Sequence, residues 1–474
     1  MRSLVPLVSV LTLVFGAAVF TAPPTPGVRV VDIIPAQFSG EADQDSEPFL
    51  AVNPTNPAVM AASAFTSDPG GMPGTAPIFV SRDSGTSWVL NSIVPSDGAT
   101  GDITHAFADG GGTNWFAGIL SLPFPPNDTM YKALMAADVT ASTLSSVQTQ
   151  RNQVDQPFVV VANNRVYIGN NDFGAPGGRT ATVDVSTNAG AAYTSHRVEG
   201  RATAQQDGPS VRPAVAKDGT AYAAFLAWRD FTGSIARTDV VVVRDDHGAV
   251  SPNGFQDLKD TDQKPGRVVA KDVRIPWVNA AALGQQRIGS TLSIAVDPNA
   301  SGTVYVAWGD RVGSEIYTIH VRRSTDRGAT WSSDLRTFRN AVNVALAVAD
   351  NGTVGLLYQQ LGGTSAAPRW ITRLEQTRNG FQTAPPTLVL TTTSAKTPAP
   401  QFQPYLGDYI LLLASGQEFR GIYSASNRPD PANFPQGVVF QRKHNLATKQ
   451  LLDGSGGTVP VSIDPFYVSA PVIH

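Results

Sequence analysis

The chain has 474 residues with 43 Gly, 35 Pro and no Cys; 42% of residues are hydrophobic and 15% charged, and 35 basic against 38 acidic side chains leave a formal charge of −3. The apolar share is enough to fill a core, which excludes global disorder, and the basic residues form no stripe, which argues against a nucleic-acid partner. Without cysteine the chain has no disulfide, thiolate metal site, iron–sulfur cluster or cysteine nucleophile.

Arg2 is followed by an apolar run from Leu4 to Phe20, then by small residues and the Pro-rich stretch Ala22-Pro-Pro-Thr-Pro-Gly27. A positive start, an apolar stretch and a small-residue cleavage region predict a signal peptide over residues 1–22, followed by an N-terminal lead-in over 23–46. The run is short for a bilayer span and contains Pro6, and no later apolar run reaches spanning length. The mature chain is therefore expected to be secreted, extracellular or periplasmic, with no membrane span, and to be a monomer.

From residue 47 onward the chain repeats. Short strands bounded by Asp, Asn, Gly and Pro recur as Pro48–Pro57, Gln156–Val161, Val211–Ala216, Leu292–Pro298 and Val344–Asp350. A second strand follows most of them, as at Thr220–Trp228 and Gly302–Trp308, across Asx/Gly turns such as Lys217-Asp-Gly219. With weaker copies at His105–Gly118 and Pro404–Tyr423, the first strands start near residues 49, 104, 157, 211, 292, 343 and 405, and one interval, 245–287, is long enough to read as an insertion. The pitch leaves room for four strands per unit, and no helical periodicity is sustained. These features predict an all-β chain folded as a single seven-bladed β-propeller over 47–474 with four-stranded antiparallel blades; the weaker copies leave six or eight blades open.

Two segments fit Ser-x-Asp-x-Gly-x-x-Trp, namely Ser81–Trp88 and Ser324–Trp331, and Ser186-Thr-Asn-Ala-Gly-Ala-Ala-Tyr193 is a decayed copy. The pattern suits a tight turn in which Asp or Asn accepts turn N–H groups, Gly supplies positive φ, and the aromatic packs between sheets. On these residues the chain resembles the sialidase-like propeller superfamily with its Asp-box, or bacterial neuraminidase, repeats. The resemblance implies that the boxes join third to fourth strands away from the active face, so that Asp83, Trp88, Asp326 and Trp331 are structural. It also implies an arginine within an Arg-Ile-Pro motif early in the domain, an Asp acid and a Tyr–Glu nucleophile pair. Here the one Arg-Ile-Pro is Val273-Arg-Ile-Pro276, in mid-chain, and no Glu partner for a last-blade tyrosine can be assigned.

In a propeller, groups that enter the first strand and leave the second gather at one mouth. The entering groups are Asp43, Asp45, Glu47, Asp102, His105, Asp155, Gln156, Asp207, Arg212, Tyr405 and Asp408; the leaving groups are Asp172, Arg229, Asp230, Asp310, Arg311, Arg428 and Asp430. Carboxylates and guanidiniums together suit sugar chemistry, with an acid for the leaving oxygen, a second group at the anomeric centre, and arginine forks for an acidic sugar. Tyr405, Asp408, Asp230 and His105 are the expected catalytic residues, and Arg212, Arg229, Asp310, Arg311, Arg428, Asp155 and Gln156 the expected substrate contacts. The six histidines show no paired ligand spacing, so neither metal nor other cofactor is expected, although Asp43-Gln-Asp45 offers carboxylates for a calcium loop. The expected function is a glycoside hydrolase or polysaccharide lyase acting on an extracellular glycan, with His105 or Tyr405 as the base in a lyase. The competing reading is a non-catalytic glycan- or protein-binding propeller.

Overall fold

The computed structural model describes residues 24–65, 77–93, 100–109, 114–121, 129–135, 146–203, 210–277 and 283–473. The expected signal peptide and Asp207 lie outside them. Among the described residues there is no α-helix, only short 3₁₀ turns such as Ala36–Phe38 and Pro431–Asn433, and no helix is long and apolar enough to cross a membrane.

Strand β1 (Arg29–Asp32) precedes six consecutive four-stranded antiparallel sheets, each built in chain order. The first holds β2 (Ser46–Val52), β3 (Met60–Phe65), β4 (Pro77–Ser81) and β5 (Val89–Ile93). The second holds β6 (Thr100–Phe107), β7 (Trp115–Ser121), β8 (Thr129–Met135) and β9 (Ser146–Asn152). β10 (Val154–Ala162), β11 (Arg165–Asp172), β12 (Thr180–Ser186) and β13 (Thr194–Arg197) form the third, and β14 (Val211–Val215), β15 (Ala221–Thr232), β16 (Ile235–Asp245) and β17 (Arg267–Pro276) the fourth. In the fifth are β18 (Leu292–Asp297), β19 (Ala300–Gly313), β20 (Ile316–Ser324) and β21 (Arg336–Arg339). In the sixth are β22 (Ala341–Val348), β23 (Val354–Gly363), β24 (Pro368–Thr377) and β25 (Thr387–Ser394). The seventh sheet begins with β26 (Leu411–Ser415) and β27 (Glu418–Ser426). It is completed by β28 (Val439–Phe440), β32 (Ile463–Pro471) and the distant β1, after a small sheet of β29 (His444–Asn445), β30 (Gln450–Leu452) and β31 (Thr458–Val459).

β12 and β22 are buried along their whole length; most of their residues are apolar or small, and of the buried polar ones Asp184 is paired with Arg151 and Asn343 with Gln359. Glycine sets the closest approaches: a Cβ on Gly169 would lie 2.2 Å from the Val211 carbonyl oxygen, and one on Gly355 2.7 Å from the Phe419 ring. First strands pack on first strands in chain order, β2 on β6, β6 on β10, β10 on β14, β14 on β18, β18 on β22 and β22 on β26; β26 in turn meets β2.

Three turns between third and fourth strands share one geometry. In Ser81–Trp88 the Asp83 carboxylate accepts the Thr86 and Ser87 N–H groups at 3.1 and 2.9 Å, while Gly85 N donates to Ser81 Oγ at 2.9 Å. Asp326 accepts Thr330 N and Asn188 accepts Ala192 N, each at 2.9 Å. Trp88 is buried against Tyr467 of the seventh sheet. A fourth turn, not evident in the sequence, uses Thr377 and Asn379, with Thr377 Oγ 2.8 Å from Asn379 Oδ1 and Phe381 in positive φ where the others carry Gly.

Three boundaries differ from the sequence expectation. The lead-in is part of the fold, because β1 pairs antiparallel with β32 from Arg29↔Ser469 to Asp32↔Phe466. The interval 245–287 is not wholly an insertion, since β17 within it is the fourth strand of its sheet. The last first strand begins at Leu411 rather than near 405, because the segment before it turns at Gly407, φ +83, whose Cβ would meet Glu47 N at 2.3 Å.

Candidate active site

The starts of β2, β6 and β10 each carry a register shift, between Ser46 and Phe49, Thr100 and Ile103, and Asp155 and Phe158. Glu47 and Gln156 occupy these bulges with φ 53°, and each is followed by proline, which has no N–H to give to the ladder. Two non-glycine residues held in the left-handed region at matching positions are strained in the way functional sites often are. The bulges bring Glu47, Asp102, Asp155 and Gln156 to one cleft of about 270 Å³, which Arg287, Phe65, Phe402 and Asp408 also line.

The cleft is held by the segments 285–287 and 403–408. Tyr405 N donates to the Gln285 carbonyl at 3.3 Å and Leu406 N to Gln286 Oε1 at 2.8 Å. Asn343 Nδ2 donates to the Gly407 carbonyl at 3.2 Å. Asp408 is thereby fixed under a two-pronged contact from Arg287, whose Nε donates to Oδ1 at 2.8 Å and whose second nitrogen reaches Oδ2. Burial opposes charge on Arg287, yet Asp408, then Glu47 and Asp155, outweigh it and push its pKa up.

Glu47 and Asp102 hydrogen bond carboxyl to carboxyl, and Tyr409 Oη donates to Asp102 Oδ1 at 2.7 Å. Desolvation, then the charges of Asp102 and Asp408, raise the Glu47 pKa well above the carboxylate range. Burial also raises Asp102, and hydrogen bonds from Glu47 and Tyr409 partly offset it. The pair therefore shares one proton, held on Glu47 and donated to Asp102, and titrates as a unit. Beneath it Arg212 is 3% exposed, with its guanidinium 4.4 Å from the Phe158 ring centroid and 5.6 Å from that of Tyr409. Burial lowers its pKa to about 10, so it stays cationic at neutral pH and balances the carboxyls above.

Of the residues expected from sequence, Asp155, Gln156, Arg212 and Asp408 gather here, together with Glu47 and Asp102. Others do not. The Tyr405 ring is buried in the core and its hydroxyl donates to the Pro398 carbonyl at 3.0 Å, which makes it a brace for the turn and not a catalytic group. Asp230 is half exposed on the projecting end of β15, paired with Arg237. Arg229 is tied to Asp239 at 2.8 Å and Glu199 at 3.0 Å, and Arg311 to Glu315 at 3.0 Å. Asp310 accepts the main-chain N–H of Arg274, the arginine of the Arg-Ile-Pro motif, at 3.0 Å, which places both between the fourth and fifth sheets. Arg428 is exposed beyond β27. Asp45 falls in a buried group with Glu41 and Asp464, oxygens within 4.8 Å of one another, and Arg442 lies 2.8 Å from Asp464.

His105 does not line the cleft; it borders a second cavity of about 360 Å³. Its ring stands 5.4 Å from Phe49 and 5.0 Å from Trp115, and neither ring nitrogen has a hydrogen-bond partner among the described residues. Burial lowers its pKa from 6.5 to about 3, so it is a neutral packing group. A histidine whose folded pKa is depressed contributes stability that is complete above pH 6.5 and is lost as pH falls toward 3. His105→Phe, which keeps a ring between Phe49 and Trp115, is expected to flatten the fall in Tm between those pH values. An unchanged slope would show that His105 is not the titrating group.

Arg287 and Tyr409 were not anticipated from sequence. A signal was present for three of the others: Glu47-Pro-Phe49, Gln156-Pro-Phe158 and Arg212-Pro213 align the residue before proline at three first strands. For Arg287 no local pattern exists.

No family model matches the chain, and no curated protein matches it. Among solved structures, it resembles a protein of unknown function from Dyadobacter fermentans DSM 18053, with TM-score 0.44 and 12% identity over 94% of this chain and 100% of that one. It also resembles a Penicillium chrysogenum alpha-L-arabinanase complexed with arabinobiose, with TM-score 0.41 and 12% identity over 92% and 97%. A third is a PL25 ulvan lyase bound to a GlcA–Rha3S unit, with TM-score 0.47 and 10% identity over 83% and 93%. Likeness at this level assigns neither family nor activity.

Proposed function

We propose that the chain is a secreted, monomeric, seven-bladed β-propeller of sialidase-like type that hydrolyses an extracellular glycan at its hub. The seven sheets packed first strand to first strand, with β26 against β2 and β1 completing the seventh sheet, support the closed ring. One observation carries the activity: a carboxyl pair sharing a proton opens onto a cleft that also presents Asp155 and Asp408. Glycoside hydrolysis needs a protonated acid for the leaving oxygen and a second carboxylate to activate water or attack the anomeric carbon. Glu47 fills the first role and Asp155 the second. Asp102 and Tyr409 position the proton on Glu47, and Asp408 with Arg287 fixes the wall. Hydrolysis is favoured over elimination because the groups the described lining presents are carboxyls, Glu47, Asp102, Asp155 and Asp408, which are the groups glycoside hydrolysis uses.

The purified mature chain is expected to release new reducing ends, without unsaturated products, from at least one member of a broad glycan panel. Products absorbing as unsaturated uronates would transfer the assignment to a lyase. Binding without release from any member would select a recognition module.

A further inference from the structure

Resting on the hydrolase reading, we propose that the glycan bound in this cleft is neutral rather than acidic, with a sugar ring seated against Phe65 and Phe402. An acidic sugar calls for an open guanidinium fork, and the cleft has none among the described residues. The Arg287 fork is occupied by Asp408, and its flat face lies 5.0 Å from the Trp277 ring centroid. Arg212 is buried beneath the Phe158 and Tyr409 rings and does not line the cleft.

The cleft lining is rich in acceptors. Asp102, Asp155 and Asp408 line it, and Gln156 Oε1, on a residue only 5% exposed, has no donor among the described residues. Sugar hydroxyls are donors that satisfy such groups, whereas a uronate carboxylate would add a like charge beside three others. The lining also has an apolar part: Phe65 and Phe402 meet edge to face with centroids 4.9 Å apart, a platform for the C–H face of a sugar ring.

The test uses the full mature protein and matched pairs of oligosaccharides, each a uronate polymer fragment and its carboxyl-reduced neutral counterpart, with binding measured by calorimetry and release measured in parallel. At least one neutral member is expected to bind at least tenfold more tightly than its uronate partner. Phe402→Ala should weaken that binding about tenfold while Phe402→Tyr retains it, with Tm reported for both. Equal or tighter uronate binding overturns the neutral assignment, whatever the turnover, and so does binding to no member of any pair. Tighter neutral binding with no release from any sugar upholds the neutral assignment and defeats the hydrolase reading instead.

Discussion

Arg442→Ala lowers the free energy of unfolding by about 3–5 kcal/mol, measured by denaturant titration at pH 7.5, because it leaves the buried Asp464 carboxylate without its partner. The Arg442 side chain is 0% exposed. It lies 2.8 Å from Asp464 on β32, donates to the Ser39 carbonyl at 3.1 Å, and stands 3.6 Å from Glu41, so one guanidinium joins the N-terminal segment to the last sheet. Burial, then the charge of Asp464, raises the pKa of Glu41 from 4.5 to about 8, and the same two causes raise Asp32. A carboxyl whose folded pKa is raised favours the folded state most below its unfolded pKa, and that contribution is lost as pH climbs through the folded value. Glu41 therefore contributes a loss of stability between pH 4.5 and about 8, opposite in sign to that of His105, and Glu41→Gln should raise Tm at pH 8 relative to its value at pH 4.5, compared with the native chain. A deficit below 1 kcal/mol at pH 7.5 would mean that the seam is held by the β1–β32 ladder alone.

Glu47→Gln is expected to lower kcat about 10²–10⁴-fold on a cleaved glycan, the usual contribution of a positioned acid, with Tm changed little. Asp102→Asn tests the shared proton separately. Removing the negative charge beside Glu47 makes it easier to ionise, so the alkaline limb of the pH–kcat profile should move to lower pH. A limb that stays in place under Asp102→Asn while kcat falls would separate Asp102 from the acid and leave it a merely structural role. Glu47→Gln with near-native kcat would remove the acid assignment outright.

Much of the succession of sheets was legible because it rests on local chemistry. Val211–Ala216 and Leu292–Pro298 read as strands from their Val, Ile and Ala content and the turns that bound them, and Asp83 and Asp326 read as turn acceptors from spacing within eight residues. The site was legible only in part. Gln156, Asp155, Arg212 and Asp408 were found because strand starts converge, but the same rule drew in Tyr405, Asp230 and Arg311, whose side chains turn to the core or to the projecting hairpins. A bulge of one residue decides which way a side chain at a strand start points, and the sequence marks that bulge only by the proline that follows it.

What the sequence alone determined is the succession of short strands, their turns and the absence of thiol chemistry, since each depends on residues within one hairpin. Tertiary structure decided the rest. Arg287 reaches Asp408 across 121 positions, Tyr409 reaches Asp102 across 307, and β1 finds β32 at the far end of the chain. Such contacts, and the raised pKa that burial imposes on Glu47 beside Asp102, depend on which strands pack together, and no local pattern encodes that.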